Sequence, residues 1–314
     1  MQPGLVVASF GRHCLVESPD GERRICHPRG KKSQVVVGDR VQWSTSTDEG
    51  SVERVDERRN LFYRQDELRT KSFAANLDQI VMLVAADPEF SERQLARALI
   101  AAEAQNIPVI VVLNKSDLQP AFGRAWERLA PYRRMGVEVL PLRLKAATAA
   151  SSEEGVEELL QKLTGKTTLI LGPSGVGKST LVNRLVPHAA ALTGEISRAL
   201  NSGKHTTTST TWYWTDDQRT TALIDSPGFQ EFGLNHIEPM QLAHLMPDLR
   251  ATLGNCRFYN CTHLHEPGCS VRDQVEKTDG STALTPSELA PAIGANRYQI
   301  YGELFAELSD KRLY

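Results

Sequence analysis

Long hydrophobic runs and a strong excess of either charge are both missing from this 314-residue sequence. Its apolar stretches, such as Ile80–Ala86, are far shorter than the roughly 18–20 residues that a membrane-spanning helix needs. The formal net charge of −2 excludes a globally basic nucleic-acid binder, although not a local basic patch. The first residues also lack the pattern of a secretory signal. We therefore expect a cytoplasmic protein with no membrane partner.

Cysteine is also scarce, and the five cysteines form an odd number that makes a poor disulfide framework. Cys256, Cys261 and Cys269 lie within fourteen residues, a spacing that favours a metal site in a reduced chain. Cys14 and Cys26 lie far upstream, and we interpret them as core thiols.

Residues 1–70 consist of short runs rich in β-forming residues, separated by turn signals. About five strands in about 60 residues favour an OB-like barrel, although a small sandwich would give the same pattern. The predicted strands are Gly4–Phe10, His13–Glu17, Arg23–His27, Gln34–Val37, Arg40–Ser44 and Gly50–Val55. Basic residues cluster around one predicted loop: Arg23, Arg24, Arg29, Lys31 and Lys32. They form either a solvated loop or, because OB-like barrels bind oligonucleotides, a phosphate contact.

From residue 71 to 234 strands alternate with helices, which predicts an α/β domain with βαβ units and a parallel sheet. The predicted strands are Gln79–Ala86, Pro108–Leu113, Val137–Leu142, Thr167–Leu171 and Thr221–Ile224. The predicted helices are one that follows the capping box Ser91–Gln94, then Ala121–Arg134, Val156–Leu163 and Ser179–Leu185. Residues 235–314 are predicted to form a third, helical domain around the clustered cysteines.

A phosphate-binding motif, Gly-x-x-x-x-Gly-Lys-Ser, follows the predicted strand Thr167–Leu171 and precedes a predicted helix. In this context the backbone N–H groups of the loop bind phosphates. Lys178 would contact the β- and γ-phosphates, and Ser179 would coordinate Mg²⁺. The predicted nucleotide-binding residues of this loop are Gly172, Pro173, Ser174, Gly175, Val176, Gly177, Lys178, Ser179 and Thr180.

A second motif, Asn114-Lys115-Ser116-Asp117, directly follows the predicted strand Pro108–Leu113. The Asp117 carboxylate can accept hydrogen bonds from N1–H and from the exocyclic amine of guanine, a donor pair that adenine lacks. A pocket built for this pair strongly rejects analogues without it. The motif therefore predicts GTP rather than ATP as the nucleotide.

Two further segments offer contacts to the γ-phosphate and to magnesium. Asp225 could hold Mg²⁺ through water, and the Gly228 N–H of the same D-x-x-G motif could meet the γ-phosphate. Gly203–Thr208 lies where a GTPase has its first switch, and a threonine there would complete the Mg²⁺ shell. Thr206 and Thr207 both qualify, and we take Thr207 as the ligand.

The motifs occur in an unusual order. In Ras-like GTPases the P-loop comes first and N-K-x-D last, whereas here Asn114–Asp117 precedes Gly172–Ser179. The same sheet can form if the old termini are joined and new ones opened elsewhere, since permutation is tolerated where termini lie close together. The D-x-x-G segment would then lead directly into the C-terminal domain.

The C-terminal region carries Cys256-x₄-Cys261-x-His263-x₅-Cys269. Three thiolates and one imidazole make a closed tetrahedral Zn²⁺ site, which has no ligand position for water and therefore a structural role. His265 is the competing histidine, and we prefer His263. The alternative interpretation is three free, buried cysteines.

Together these motifs resemble one family, the circularly permuted, small-ribosomal-subunit-dependent GTPases called RsgA. The resemblance covers nearly the whole chain and includes Asp225–Phe229 with Glu231–Gly233, besides the motifs above. It implies a cytoplasmic GTPase that binds the small ribosomal subunit and its rRNA late in assembly. It also implies that the subunit stimulates hydrolysis of GTP to GDP, which releases the factor. We expect a monomer.

The sequence departs from such GTPases behind the guanine ring. A Ser-Ala pair is usual there, whereas this chain has Leu142–Lys145. A backbone N–H contact to the guanine carbonyl needs no particular side chain and could persist.

The attacking water also lacks its usual partner. Ras-like enzymes orient it with a glutamine directly after D-x-x-G, where this chain has Phe229. His205, in the first switch, is the candidate for this catalytic role, because its imidazole can accept a hydrogen bond from water near neutral pH. The resemblance points the same way, since the family carries a histidine before the threonine run. Gln230 or a ribosomal group is the alternative.

Two other functions match part of the pattern. The chain could be an RNA-binding scaffold that senses GTP with little turnover, which differs from a GTPase only in its rate of hydrolysis. It could also be a P-loop ATPase or kinase, and Asp117 counts against that function.

Overall fold

The computed structural model describes residues 1–10, 13–29, 34–45, 49–67, 69–144, 153–187, 189, 210–228, 231–276 and 293–310. The strands in these ranges are β1 Gln2–Phe10, β2 His13–Glu17, β3 Arg23–Pro28, β4 Arg40–Thr45, β5 Gly50–Val55, β6 Leu61–Gln65, β7 Thr70–Ala75, β8 Gln79–Ala85, β9 Val109–Asn114, β10 Glu138–Leu142, β11 Thr167–Leu171, β12 Thr211–Trp214 and β13 Ala222–Asp225. The helices are α1 Glu92–Glu103, α2 Ala121–Arg128, α3 Ala130–Arg134, α4 Val156–Leu163, α5 Lys178–Leu185, α6 Pro247–Arg250, α7 Ser270–Asp273 and α8 Ala295–Asp310, with a 3₁₀ helix at Pro239–Leu245.

The first five strands form a closed barrel. Strand β1 pairs antiparallel with both β2 and β4, and β3 pairs parallel with β5, which closes the order β1-β2-β3-β5-β4. Alternate side chains such as Val16, Trp43 and Val52 fill its interior. Cys14 and Cys26 face each other across β2 and β3, where burial raises the pKa of their thiols to about 12 and about 11. The predicted OB-like barrel and its core thiols are confirmed.

The predicted strand Gln34–Val37 is wrong. The Val36 N–H donates to the Asp39 carboxylate at 2.8 Å, and the Asp39 N–H donates to the Val36 carbonyl at 3.1 Å. Gly38, with φ of 91°, completes the turn. The three valines of this run are buried, so its hydrophobicity reflects core packing and not strand pairing.

The second region is built on a mostly parallel sheet. Strands β10, β9, β8, β11 and β13 are parallel neighbours, and β12 runs antiparallel to β13. Strand β8 is buried throughout: Ile80 and Met82 face one hydrophobic core, and Val81 and Leu83 face the other. Both faces are thus covered, which is the arrangement that parallel sheets require.

Helix boundaries follow the local sequence. The Ser91 hydroxyl caps α1 by accepting from the Gln94 N–H at 3.3 Å, as the capping box predicts. The single helix predicted over Ala121–Arg134 is instead two, α2 and α3, which meet at Leu129. Pro131 lies in the first turn of α3, a position where its missing N–H is tolerated.

Several unpredicted elements join the regions. Strands β6 and β7 form a separate hairpin, and Thr211 of β12 pairs with Ala8 of β1, so the barrel and the parallel sheet are continuous. One hydrophobic core contains Phe62 of the hairpin, Leu95 of α1 and Leu304 of α8. Within the described part of the chain, no helix has both the length and the hydrophobicity for a membrane crossing.

Candidate functional site

The phosphate-binding loop connects β11 to α5. Gly175 and Gly177 have φ of 81° and 100°, in the left-handed region that favours glycine. A Cβ at Gly172 would lie 2.5 Å from the Leu83 carbonyl oxygen, and one at Gly177 would lie 2.5 Å from Asn114 Nδ2. The glycines therefore allow the loop to pack closely against the ends of β8 and β9.

Asn114 joins the two sequence motifs. It is the last residue of β9, and its Nδ2 donates to the Val176 carbonyl of the phosphate-binding loop at 2.8 Å. The side chain is buried, and its Oδ1 has no hydrogen-bond partner among the described residues. The guanine motif and the phosphate-binding loop, distant in sequence, thus form one site at the carboxyl ends of the strands.

The rest of the guanine motif is held by backbone contacts. Lys115 adopts a left-handed φ of 66°, and its Nζ donates to the Asp87 carbonyl. The Ser116 N–H donates to the Leu142 carbonyl at 3.1 Å, and its hydroxyl donates to the Glu154 carboxylate. Asp117 follows this fixed turn and is exposed, so its carboxylate is accessible to a base.

The atypical segment behind the base also lies at the site. Arg143 and Glu154 exchange backbone hydrogen bonds of 3.0 and 3.2 Å, which fixes the end of β10. Leu144 Cδ1 would lie 3.8 Å from a Cβ at Gly177. Leu144 therefore packs beside the phosphate-binding loop. Lys145 lies outside the described residues.

Lys178 and Asp225 form the charged centre of the site. Lys178 Nζ donates to Asp225 Oδ1 at 3.1 Å, and both side chains are buried. Burial raises the pKa of the Asp225 carboxyl, whereas the Lys178 ammonium acts in the opposite direction. Ser179, in the first turn of α5, is exposed where a metal ion could approach.

The D-x-x-G glycine lies against the phosphate-binding loop. A Cβ at Gly228 would be 3.6 Å from the Ser174 nitrogen. Ser226 anchors the segment by donating to the Ile170 carbonyl at 3.0 Å. The structure therefore brings both Asp225 and Gly228 to the predicted phosphate site.

Several predicted residues lie outside the described part of the chain. They are the first-switch segment Gly203–Thr208, which includes His205, Thr206 and Thr207, and the residues Phe229 and Gln230. Two supports of the guanine motif, Glu154 and the Asp87 carbonyl, belong to no local sequence pattern and are visible only in the structure.

The four predicted metal ligands converge. One ligand atom each from Cys256, Cys261, His263 and Cys269 lies within 4.8 Å of the others. His263 Nδ1 is 3.5 Å from the sulfurs of Cys256 and Cys269, whereas His265 is exposed. A Cys₃His donor set at this separation fits a tetrahedral Zn²⁺ ion.

Helix α8 supports the loop that carries this cluster. The Tyr298 hydroxyl donates to the His263 carbonyl at 2.6 Å, and the Tyr301 hydroxyl donates to the Thr262 carbonyl at 2.7 Å. Two hydrogen bonds therefore join α8 to the loop of the Cys₃His cluster.

The described part of the basic cluster on the barrel is neutralised locally. The three arginines each meet a carboxylate: Arg23 with Glu17 at 2.7 Å, Arg24 with Glu22 at 3.1 Å and Arg29 with Glu53 at 2.6 Å. Lys31 and Lys32 lie outside the described residues. Arg23 and Arg24 lie in strand β3 and not in a loop, and Arg23 pairs with the buried Glu17. Because each of the three arginines is paired with a carboxylate, these contacts do not favour the interpretation as a phosphate contact.

Comparisons with known proteins agree with this geometry. A family model described as RsgA GTPase matches residues 55–235. A protein of Variovorax paradoxus is 67% identical over 312 residues, which cover 99% of this chain and 94% of the relative. One of Burkholderia pseudomallei strain K96243 is 50% identical over 98% of this chain and 92% of its own length. Both are called small ribosomal subunit biogenesis GTPase RsgA.

Two solved structures share the whole architecture. YjeQ from Thermotoga maritima has a TM-score of 0.69 and 29% identity, with 98% of each chain covered. YloQ, described as a circularly permuted GTPase, has a TM-score of 0.67 and 26% identity, covering 99% of this chain and 96% of its own. With the motif order and the site described above, these matches show that the chain is a circularly permuted GTPase and belongs to the RsgA GTPase family.

Proposed function

We propose that this GTPase acts in late maturation of the small ribosomal subunit, that the subunit stimulates its turnover, and that hydrolysis releases it from the particle. The observation that carries the proposal is 67% identity over 99% of the chain to a protein called small ribosomal subunit biogenesis GTPase RsgA. Its working form is a cytoplasmic monomer that binds GTP, GDP and the rRNA of the particle.

The nucleotide site supports the GTP-binding and hydrolysis part of this proposal. The loop Gly172–Thr180 binds the phosphates through its N–H groups, and Asp117 selects guanine. Lys178 Nζ lies 3.1 Å from Asp225. When GTP binds, the Lys178 ammonium moves from Asp225 towards the phosphates. Asp225, released from this contact, would be able to hold Mg²⁺ through water.

Magnesium and zinc have separate roles in the proposal. Mg²⁺, when bound with GTP, neutralises charge that develops on the phosphate oxygens. Ser179 and Thr207 are its proposed protein ligands. One structural Zn²⁺ per chain is held by Cys256, Cys261, His263 and Cys269, whose close approach supports this assignment.

The proposed division of labour follows three regions. Residues 1–70 contact rRNA, residues 71–234 bind and hydrolyse GTP, and residues 235–314 carry zinc. The closed barrel of the first region is the kind of fold that binds oligonucleotides through its strands and loops.

Turnover with isolated particles tests this function. Phosphate release from GTP is measured with small subunits, with large subunits and with no particle. We expect strong stimulation by small subunits alone, and its loss in Lys178→Ala, which removes the charge partner of the phosphates. Binding of GTP and small subunits without any stimulation would instead indicate a GTP-sensing scaffold.

His205 is the proposed group that positions the attacking water. The support is chemical: Phe229 follows D-x-x-G and cannot accept or donate the required hydrogen bond. His205→Ala is expected to bind GTP normally and to lose most subunit-stimulated hydrolysis, so that the factor stays on the particle. Stimulated turnover of His205→Ala near the wild-type rate would indicate that Gln230 or a ribosomal group positions the water instead.

A further inference from the structure

Three successive backbone carbonyls just beyond Gly228 are held by the rest of the molecule. Arg64 Nη1 donates to the Glu231 carbonyl, Arg97 Nη1 to the Phe232 carbonyl at 3.1 Å, and the Gln65 N–H to the Gly233 carbonyl at 3.1 Å. A Cβ at Gly233 would lie 2.4 Å from the Gln65 carbonyl oxygen, so the approach is close. We call residues 231–233 the post-switch segment.

Arg97 has a second set of contacts, on the C-terminal helix. Its Nη1 lies 3.2 Å from Glu307 Oε1 of α8, and its Nη2 donates to Glu307 Oε2. The Arg97 side chain is only 11% exposed. A forked, charge-assisted contact with so little solvent is stronger and more directional than a surface ion pair. One guanidinium therefore joins the post-switch segment to α8.

Open space beside the post-switch segment allows its backbone to move relative to Arg97 and α8. The post-switch segment, α1, the β6–β7 hairpin and Glu307 line an open cavity of about 700 Å³, so backbone movement there meets space on one side. On the other side Phe232 packs on Phe62 and Phe73, with ring centroids 5.6 and 5.9 Å away. The Phe232 side chain thus anchors the segment on one side, while the other side borders open space.

We propose that Arg97 is a positioning residue that couples the nucleotide site to α8. The proposal depends on the proposed function only in assuming that Gly228 meets the γ-phosphate. A shift of Gly228 towards that phosphate displaces the Phe232 carbonyl, and Arg97 transmits the displacement to Glu307. Because such coupling is reciprocal, the docking of α8 also biases how readily Gly228 reaches the phosphate.

Arg93 supplies a matched control on the same helix. Its guanidinium lies 3.2 Å from Glu303 and 3.3 Å from Glu307 of α8, but its side chain is 48% exposed. The contacts described for it go to α8 and not to the post-switch segment. Arg93→Ala therefore removes ionic contact with α8 while it leaves the junction through Arg97 in place.

Hydrogen exchange of the full-length, zinc-loaded protein tests the coupling. Amide exchange over Ala295–Asp310 is compared with GDP and with a non-hydrolysable GTP analogue plus Mg²⁺. In the wild type and in Arg93→Ala we expect the two states to differ by about fivefold or more, the lower range of allosteric coupling. In Arg97→Ala we expect that difference to disappear, and in Glu307→Gln, which keeps one acceptor oxygen but loses the charge, we expect it to become smaller.

Kinetics separate coupling from general destabilisation. Arg97 contacts no residue of the phosphate or guanine motifs among those described, so Arg97→Ala should lower kcat for GTP several-fold and leave the affinity for GDP, which has no γ-phosphate, unchanged. If Arg97→Ala does not fold, Glu307→Gln carries the test, because it preserves side-chain size and the contact of Arg97 with Phe232. Nucleotide-independent exchange of α8 in the wild type, or an unaltered difference in Glu307→Gln, would overturn the proposal. Failure of the proposed function would instead appear as absent GTP binding or absent stimulation by small subunits.

Discussion

At the scale of single residues, the proposed preference for guanine depends on one exposed carboxylate, that of Asp117. Asp117 follows a turn that Ser116 ties to Leu142 and Glu154, and its side chain is exposed. Hydrogen bonds to a charged group contribute about 1.5–3 kcal/mol, so Asp117→Asn should weaken GTP binding roughly ten- to a hundredfold. The Asp117→Asn protein should also bind XTP, because xanthine carries a carbonyl where guanine has its amine.

Competition between GTP and XTP for a fluorescent nucleotide measures this change. Ser116→Ala is a useful companion variant, since it loses only the contact with Glu154 and should retain the preference for guanine. An Asp117→Asn protein that discriminates GTP from XTP as the parent does would contradict the specificity assignment.

Local motifs made much of the nucleotide site predictable. The phosphate-binding loop and the guanine motif each combine a strand, a turn and fixed residue types within eight or fewer positions, so the sequence contains their whole geometry. Their supports are different, because Glu154 meets Ser116 across 38 positions and Asp87 meets Lys115 across 28. Such partners become visible only when the sheet brings strand ends together.

At the scale of elements, α8 is docked by a buried ion pair. Arg297 donates to both carboxylate oxygens of Asp248 at 2.8 and 3.0 Å, and its guanidinium lies 5.0 Å from the Tyr132 ring centroid. Both charged side chains are nine-tenths or more buried. Removal of one partner from such a pair costs about 3–5 kcal/mol, because the other charge remains buried and unpaired.

We therefore expect Asp248→Ala to lower the free energy of unfolding by about 3–5 kcal/mol. The exposed pair of Arg134 and Glu276 is the matched control, and Glu276→Ala should change stability by about 1 kcal/mol or less. Urea denaturation followed by circular dichroism measures both. Equal effects of the two substitutions on the free energy of unfolding would show that the buried pair contributes no more to stability than the exposed pair.

The second prediction at this scale concerns loss of the proposed zinc site. Binding energy at a structural Cys₃His site is also folding energy, so Cys261→Ser should unfold the region beyond residue 234 first. Metal analysis should find one Zn²⁺ per chain, and limited proteolysis of the variant should cut within 235–276 while the nucleotide site stays intact. His265→Ala should retain the metal, because His265 is exposed and outside the cluster. Carefully prepared protein without zinc would contradict the site.

Strands differ in how well their presence and their bounds can be predicted from the sequence. Strands that end in a motif, such as β9 and β11, are bounded by residues with one clear structural role. The run Gln34–Val37 has the same hydrophobicity as a strand, but Gly38 and Asp39 close it as a turn. The hairpin β6–β7 is rich in charged residues and lacks a clean alternation, so its pairing depends on contacts with Phe232 and Leu234 far along the chain.

At the scale of the whole molecule, the barrel and the GTPase sheet are one continuous structure. Strand β1 pairs with β2 and β4 inside the barrel and, through Ala8, with Thr211 of β12. Thr211 follows the first-switch segment by only a few residues in the sequence. The barrel and the strand that follows the first-switch segment in the sequence are therefore joined by direct backbone pairing at Ala8 and Thr211.

The buried Glu17 carboxylate is the side-chain counterpart of this junction. It accepts from Trp214 Nε1 of β12 at 2.7 Å and from Arg23 Nε of the barrel at 2.7 Å, and Arg219 lies 3.6 Å away. Loss of a buried acceptor that leaves such donors without a partner costs about 1–3 kcal/mol. Glu17→Ala should lower the free energy of unfolding by this amount and weaken the connection between the barrel and the parallel part of the sheet.

Cooperativity of unfolding tests whether that junction unites the molecule. In the wild type we expect hydrogen exchange in β1 and in β13 to respond together to rising urea, since the strands share one sheet. In Glu17→Ala we expect the barrel to open at lower urea than β13, whereas Glu22→Ala, which removes an exposed partner of Arg24, should leave the two together. Opening of β1 before β13 already in the wild type would mean that the barrel unfolds independently. The pairing of β1 with β12 would then not make the barrel and the parallel sheet one cooperative unit.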